Sequence, residues 1–301
     1  MQKKRSVAPA FGLITFVLLL ITPASGHAAA ACTLSAVPIV FGSFSGSPVT
    51  VAGQITIHCT GNGTANYSLQ LSAGSGTFAS RTMRGSGSSI SYNLYTDSAF
   101  SQIWGDGTAG TVVNTGVLNV VPPNALDINV TVFAKLPLQP ILPPSGSYID
   151  TIVANLTCTG GTPCAATTTF DVTESAQAVC TISANSLNFG AYRGPQIDSA
   201  VTLLATCSSG TSYNVGLNQG VSAGASVTTR KMTRSGGGLL SYGLFSDSSR
   251  TTNWGNTVGT DTVSATGTGV GQSVTVFGRV PASQPAAPGT YQDTITATLF
   301  F

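Results

Sequence analysis

Charge is what this chain has least of. Lys and Arg number 12 and Asp and Glu 10, so charged residues make up 7% of its 301 residues. Three of the basic residues, Lys3, Lys4 and Arg5, sit at the very start; without them nine face ten acidic residues and no basic run remains. That excludes recognition of nucleic acid or an anionic membrane by a positive patch. Histidine is nearly absent too, and past the first thirty residues only His58 is left. A Ser-His-Asp device would rest wholly on that residue, and no cluster of His or free Cys offers metal ligation. A sustained helical period is also missing, which argues against a helical fold.

The one long apolar run, Phe11 to Ile21, follows the basic start and precedes Ala28-Ala29-Ala30. This is the order of a secretory signal with a small-residue cleavage site, so residues 1–30 are expected to be removed. A membrane anchor is the rival reading; the run is short for a span and ends in Thr22-Pro23. Lipidation at Cys32 is a further alternative, against which stand Ala29 three places before it and a repeat partner in mid-chain.

From Cys32 onward one pattern is stated twice. Cys180 and Cys207 repeat the spacing of Cys32 and Cys59. Phe41-Gly42 returns as Phe189-Gly190, and Arg81-Thr82-Met83 as Arg230-Lys231-Met232. Ser91-Tyr92-Asn93-Leu94-Tyr95-Thr96-Asp97-Ser98 returns as Ser241-Tyr242-Gly243-Leu244-Phe245-Ser246-Asp247-Ser248, and Trp104-Gly105 as Trp254-Gly255. Gly146-Ser147-Tyr148-Ile149-Asp150-Thr151-Ile152 returns as Gly289-Thr290-Tyr291-Gln292-Asp293-Thr294-Ile295. Six cysteines in an exported chain imply disulfides. The repeat favours Cys32–Cys59 and Cys180–Cys207, which leaves Cys158 and Cys164 to close a short loop. Each long link is expected to stabilise its domain by about 3–4 kcal/mol.

Alternation replaces the helical period. Ile55, Ile57 and Cys59 share a face, as do Tyr67, Leu69 and Leu71, and Leu126, Ile128, Val130, Val132 and Ala134. Tyr291, Ile295, Ala297, Leu299 and Phe301 do so in the second copy. Short alternating strands between Gly, Ser and Asn turns, in copies of about 120–140 residues, predict an all-β fold of two immunoglobulin-like antiparallel sandwiches.

With these motifs assembled, the chain resembles a tandem of spore coat protein U domains. The resemblance implies a subunit of an archaic chaperone–usher pilus. Such subunits have an incomplete immunoglobulin-like fold that a neighbour's N-terminal strand completes. It implies as partners a periplasmic pilus chaperone, an outer-membrane usher and the next subunit, and a location at the pilus tip on the cell surface. Cleavage leaves almost nothing before Cys32, so by this likeness the chain accepts a strand but has none to donate, and caps a fibre.

The expected division is a signal at 1–30, an adhesin domain at 31–176 and a pilin domain at 177–301. Thr168, Phe170 and Val172 alternate within 166–175, and a short loop joins this segment to the preceding strand. It is read as the missing strand of the first domain, supplied within the chain; a flexible linker is the alternative. Nothing in the sequence completes the second domain, and Leu299, Phe300 and Phe301 are expected to dock a chaperone or subunit.

The paired aspartates Asp97/Asp247 and Asp150/Asp293 read as acceptors of local backbone N–H bonds. Arg81 and Arg230 read as halves of structural ion pairs with carboxylates. No cofactor, metal or catalytic residue is expected. The copies diverge in their loops. The first has Val120-Val121-Pro122-Pro123 before the Leu126 strand, and Leu136, Leu138, Ile141 and Leu142 after it, where the second has small and polar residues. Stiff apolar tips often mark contact surfaces, with packing inside the domain as the alternative. The first loop is expected at the end far from the second domain, and is the candidate for gripping an abiotic or host surface in biofilm formation. A receptor-specific lectin tip and a ligand-free structural or initiator subunit are the competing readings.

Overall fold

Most of the alternating stretches form strands, although the Tyr291–Phe301 alternation is interrupted between Gln292 and Ala297. A computed structural model describes residues 31–121, 123, 125–160 and 164–301. The expected signal segment therefore lies outside the described residues, as does Pro122 of the candidate loop. The first half forms β1 (Ala31–Ala36), β2 (Ile39–Phe44), β3 (Val49–Thr60), β4 (Gly63–Leu71), β5 (Arg81–Gly85), β6 (Ser88–Tyr95), β7 (Asn114–Val120), β8 (Leu126–Leu136), β9 (Gly146–Thr159) and β10 (Ala165–Ala176). The second forms β11 (Cys180–Ala184), β12 (Ile197–Cys207), β13 (Ser212–Leu217), β14 (Arg230–Arg234), β15 (Leu239–Phe245), β16 (Val263–Thr266), β17 (Gly271–Val280), β18 (Tyr291–Gln292) and β19 (Ala297–Phe300). No helix occurs among the described residues.

Period two puts one face of each strand inside. In β4 that face is Ala65, Tyr67, Leu69 and Leu71, and in β8 it is Val130, Val132, Ala134 and Leu136. One layer of the first half runs β1-β3-β8-β6, and β5 leads over to β9-β10-β2, with β4 and β7 added beside β9. The faces close on one cluster that includes Ile57, Leu69, Met83, Leu94, Trp104 and Ile152. The second half repeats the plan with β11-β12-β17-β15-β14-β18 and β16-β13-β19, around a separate cluster of Leu203, Val215, Leu244 and Trp254. The fold is two immunoglobulin-like all-β sandwiches. Disulfides join Cys32–Cys59, Cys158–Cys164 and Cys180–Cys207.

Shared motifs do shared jobs. Trp104 Nε1 donates to the Leu69 carbonyl (2.9 Å) and Trp254 Nε1 to that of Val215 (2.8 Å). Asp97 accepts from Gln102 N–H (2.8 Å) and Asp247 from Thr252 N–H (2.6 Å), as turn carboxylates do. The buried arginines differ from expectation. Arg81 donates to the carbonyls of Ser72 and Trp104 and to Asn93 Oδ1, and Arg230 to those of Leu217, Asn218 and Trp254. Carbonyl oxygens, not a paired carboxylate, satisfy them. Burial lowers both guanidinium pKa values to about 10, still far above neutrality. The carboxylates stand one step away, with Asp150 accepting from Tyr92 and Asp293 from Tyr242, each at 2.7 Å.

Candidate functional site

The two copies part company at their last strand. In the first, β9 runs unbroken and β10 lies antiparallel to it through twelve residue pairs, from Ala165 opposite Thr157 to Ala176 opposite Gly146. The other edge of β10 pairs parallel to β2, with a bulge between Thr173 and Ser175. Its Phe170, Val172, Glu174 and Ala176 all point inward and are buried. Phe170 opposes Ile152 and Glu174 opposes Tyr148, so the strand roofs the core between β9 and β2.

No strand occupies that slot in the second copy among the described residues. The counterpart of β9 is interrupted, β18 ending at Gln292 and β19 starting at Ala297. The counterpart of β2, residues 185–192, forms no strand. Matched side chains register the loss. Ile39, Phe41, Met83, Tyr148, Ile152, Ala154 and Leu156 are buried, whereas Leu187, Phe189, Met232, Tyr291, Ile295, Ala297 and Leu299 are only partly covered. Together these residues line an apolar groove beside β18 and β19. Leu299 opposite Val215 and Phe300 opposite Asn214 hold its end, and Phe301 beyond them is 62% exposed.

Strand register also fixes which loops share an end. Gly63 pairs with Val120, Cys32 with Cys59, and Asn66 with Thr159. The chain start of the described residues, the turn after β7 and the Cys158–Cys164 loop therefore gather at one end. Val49 opposite Leu136 and Ala176 opposite Gly146 put the loop after β8 at the other, beside the second domain.

Two of the candidate surface residues are not surface residues. Val120 is 1% exposed; as the last residue of β7 it faces inward with Leu118 and closes the sandwich end. Leu136 is fully buried because it continues the Val130, Val132, Ala134 face of β8. Val121 is 58% exposed and Pro123 is also outward. Val117, 60% exposed, lies on the same outward face of β7, and no motif of the sequence marks it. In the other loop Leu138 and Ile141 are exposed, while Leu142 is half-buried.

The described residues hold no group of three potential metal ligands. His58 Nδ1 lies 2.6 Å from Asp127 Oδ1, an exposed pair on the outer face of β3 and β8. A shallow trough of about 440 Å³ crosses the outer face of β4, β7 and β9, lined by Asn66, Ser68, Thr115, Val117, Thr157 and Thr159 among others.

The Spore Coat Protein U domain matches residues 18–155 and again 166–298. Protein U of Myxococcus xanthus is 36% identical over 128 residues, which are 38% of this chain and 71% of that protein. In fold, the chain is similar to the CsuC–CsuE chaperone–tip adhesion subunit pre-assembly complex from the archaic chaperone-usher Csu pili of Acinetobacter baumannii. There the TM-score is 0.50 at 17% identity, over 89% of this chain and 100% of that one.

Proposed function

Since the chain belongs to the Spore Coat Protein U domain family, which is not an enzyme family, we propose that it is a two-domain adhesin at the tip of a chaperone–usher pilus. Residues 31–176 form the adhesin domain, closed by β10, and residues 177–301 the pilin domain, closed by a strand from the next subunit. Before assembly a periplasmic chaperone lends the strand, and an outer-membrane usher exports the product.

The observation that carries this reading is the matched core, covered by β10 in one copy and open in the other. A groove lined by Leu187, Phe189, Met232, Ile295 and Leu299 is costly in water, at roughly 25 cal/mol per Å² of apolar surface. An added strand removes that cost and supplies main-chain bonds along β18 and β19. Leu299 and Phe300 then sit where the incoming strand meets the end of the sandwich.

Attachment falls to the opposite end of the first domain. Val121 and Pro123, with Val117 beside them, are stiff or β-branched, lose little entropy on contact and carry no charge. Burying each valine contributes up to about 1.5–3 kcal/mol, and many fibres add these contributions through avidity. Biofilm formation on abiotic or host surfaces follows from that chemistry. The trough with Asn66, Ser68, Thr157 and Thr159 favours a second reading, a receptor-specific lectin, because hydroxyls and an amide converge there. Gold labelling of the first domain on intact fibres tests the tip role. Label at fibre ends alone supports it, and label along the shaft overturns it. Attachment that follows a particular glycan and ignores loss of Val121, which lies outside the trough lining, would transfer the function to the trough.

A further inference from the structure

The loop after β8 is anchored identically in both copies, up to one point. Gln139 accepts from Ser91 N–H (2.9 Å) and donates to the Ser91 carbonyl (3.0 Å), and Gln284 repeats both bonds with Ser241 at 2.7 and 2.8 Å. A tyrosine hydroxyl ties the other side, Tyr148 to the Pro144 carbonyl (2.9 Å) and Tyr291 to that of Ala287 (3.0 Å). Between these anchors the first copy places Pro140-Ile141-Leu142-Pro143 where the second has only Pro285-Ala286.

That enlarged tip meets the second domain. Leu142 N–H donates to the Gly269 carbonyl (2.9 Å), and Ser209 N–H donates to the Leu142 carbonyl (3.1 Å). One residue thus gives a main-chain bond to one turn of the second domain and takes a main-chain bond from another. The receiving side is shaped for it. Gly269 has φ +81, and a side chain there would collide with Ile141 Cγ2. The covalent link is short, since Gln177 N–H still bonds the Phe44 carbonyl (3.0 Å) and Val179 already bonds Ser208 (2.8 Å).

We propose that Ile141 and Leu142 are an interdomain docking surface whose partner is the pair of turns at 208–210 and 267–269, so that the two domains move as one body. A linker alone leaves the domains free to swivel; a second point of attachment, at Leu142, removes that freedom. Gln139 and Tyr148 hold the loop rigid, so the docked tip pays little ordering entropy. The residue types differ accordingly: apolar bulk stands at the tip that has a neighbour, and alanine at the tip that has none among the described residues. The end bearing Val121 is thereby held pointing away from the second domain.

Amide hydrogen exchange on the full chain tests it. Leu142 and Ser209 should exchange at least about tenfold more slowly than unprotected loop amides. Gly269→Val should release both, while the Ser91 amide and the strands of both domains keep their protection. The change Ile141→Ser leaves the backbone of the second domain untouched, and the Leu142 side chain in place against Gly46, and should release Ser209 as well. Unprotected Leu142 and Ser209 in the native chain would overturn the proposal, as would unchanged protection in either folded variant.

Discussion

Glu174 is the residue that a sequence pattern would not place in a core. It is 3% exposed, sits on the inward face of β10 among Phe170, Val172 and Ala176, and neither carboxylate oxygen has a hydrogen-bond partner. Burial raises its pKa above the ordinary glutamate value of 4.5; the nearby backbone N–H groups of Phe44 and Ser175, which fall outside hydrogen-bond geometry, offset only part of the shift. The sign follows from linkage. The folded chain holds this proton to higher pH than the unfolded chain does, so its contribution is fully present below the unfolded value and is lost as pH rises through the raised one. Glu174→Gln should therefore raise the melting temperature of the first domain at neutral pH by a few degrees (about 1 kcal/mol shifts a domain this size by ~3–6 °C) and flatten its pH dependence. Thermal melts between pH 4 and 8 check this, and an unchanged slope would free Glu174 of the role.

The adjacent valines after Asn119 show what single residues reveal and conceal. Strand geometry sends neighbours to opposite faces, so one of Val120 and Val121 had to be buried. Which one depends on the register of β7 against β4, Gly63 opposite Val120, and a one-residue slip would exchange them. Val120→Ser should cost about 2–4 kcal/mol, from lost burial and an inserted hydroxyl, and appear as poor secretion. Val121→Ser with Val117→Ser should leave melting unchanged and lower attachment to hydrophobic plastic, with little effect of moderate salt because no charge is involved. Undiminished attachment by normally piliated double variants removes these residues from the contact.

At the scale of elements, most of the fold was readable. The alternations at Ile55–Cys59, Tyr67–Leu71 and Leu126–Ala134 became one-face-buried strands because a sandwich core demands that periodicity. Thr168, Phe170 and Val172 marked β10 for the same reason. Extending the Leu126–Ala134 alternation by one step puts Leu136 inside, so its burial was legible too. Less legible were contacts between elements distant in sequence, such as Leu142 with Gly269 and the carbonyls around Arg81, for which no local period exists. The role of β10 yields a direct expectation. Residues 31–176 expressed alone should fold and melt cooperatively, whereas 31–160, lacking Phe170 and Val172, should not, because Ile152, Tyr148 and Met83 lose their cover. Calorimetry of both fragments decides it, and equal stability would reduce the segment to a tether.

For the whole molecule, the asymmetry between closed and open domains sets how the protein behaves in solution. The second core leaves Leu187, Phe189, Met232, Tyr291, Ile295 and Leu299 partly uncovered, and the interrupted β18–β19 edge presents unpaired main-chain groups. Such an edge beside an apolar groove recruits other strands indiscriminately. The full chain on its own should therefore associate or be degraded, while co-expression with a cognate periplasmic chaperone should yield a soluble one-to-one complex. The two domains should also differ in how they respond. A peptide with the alternation of β10, presented in excess, should raise the melting temperature of the second domain in proportion to the logarithm of its concentration. The first domain, whose slot is filled, should not respond. Proline at the peptide position that faces Ile295 should abolish the effect, since it removes a ladder bond and an inserted side chain together. A stable, monomeric, peptide-indifferent full chain would show the groove to be closed by the chain's own packing, and the second domain would then need no neighbour at all.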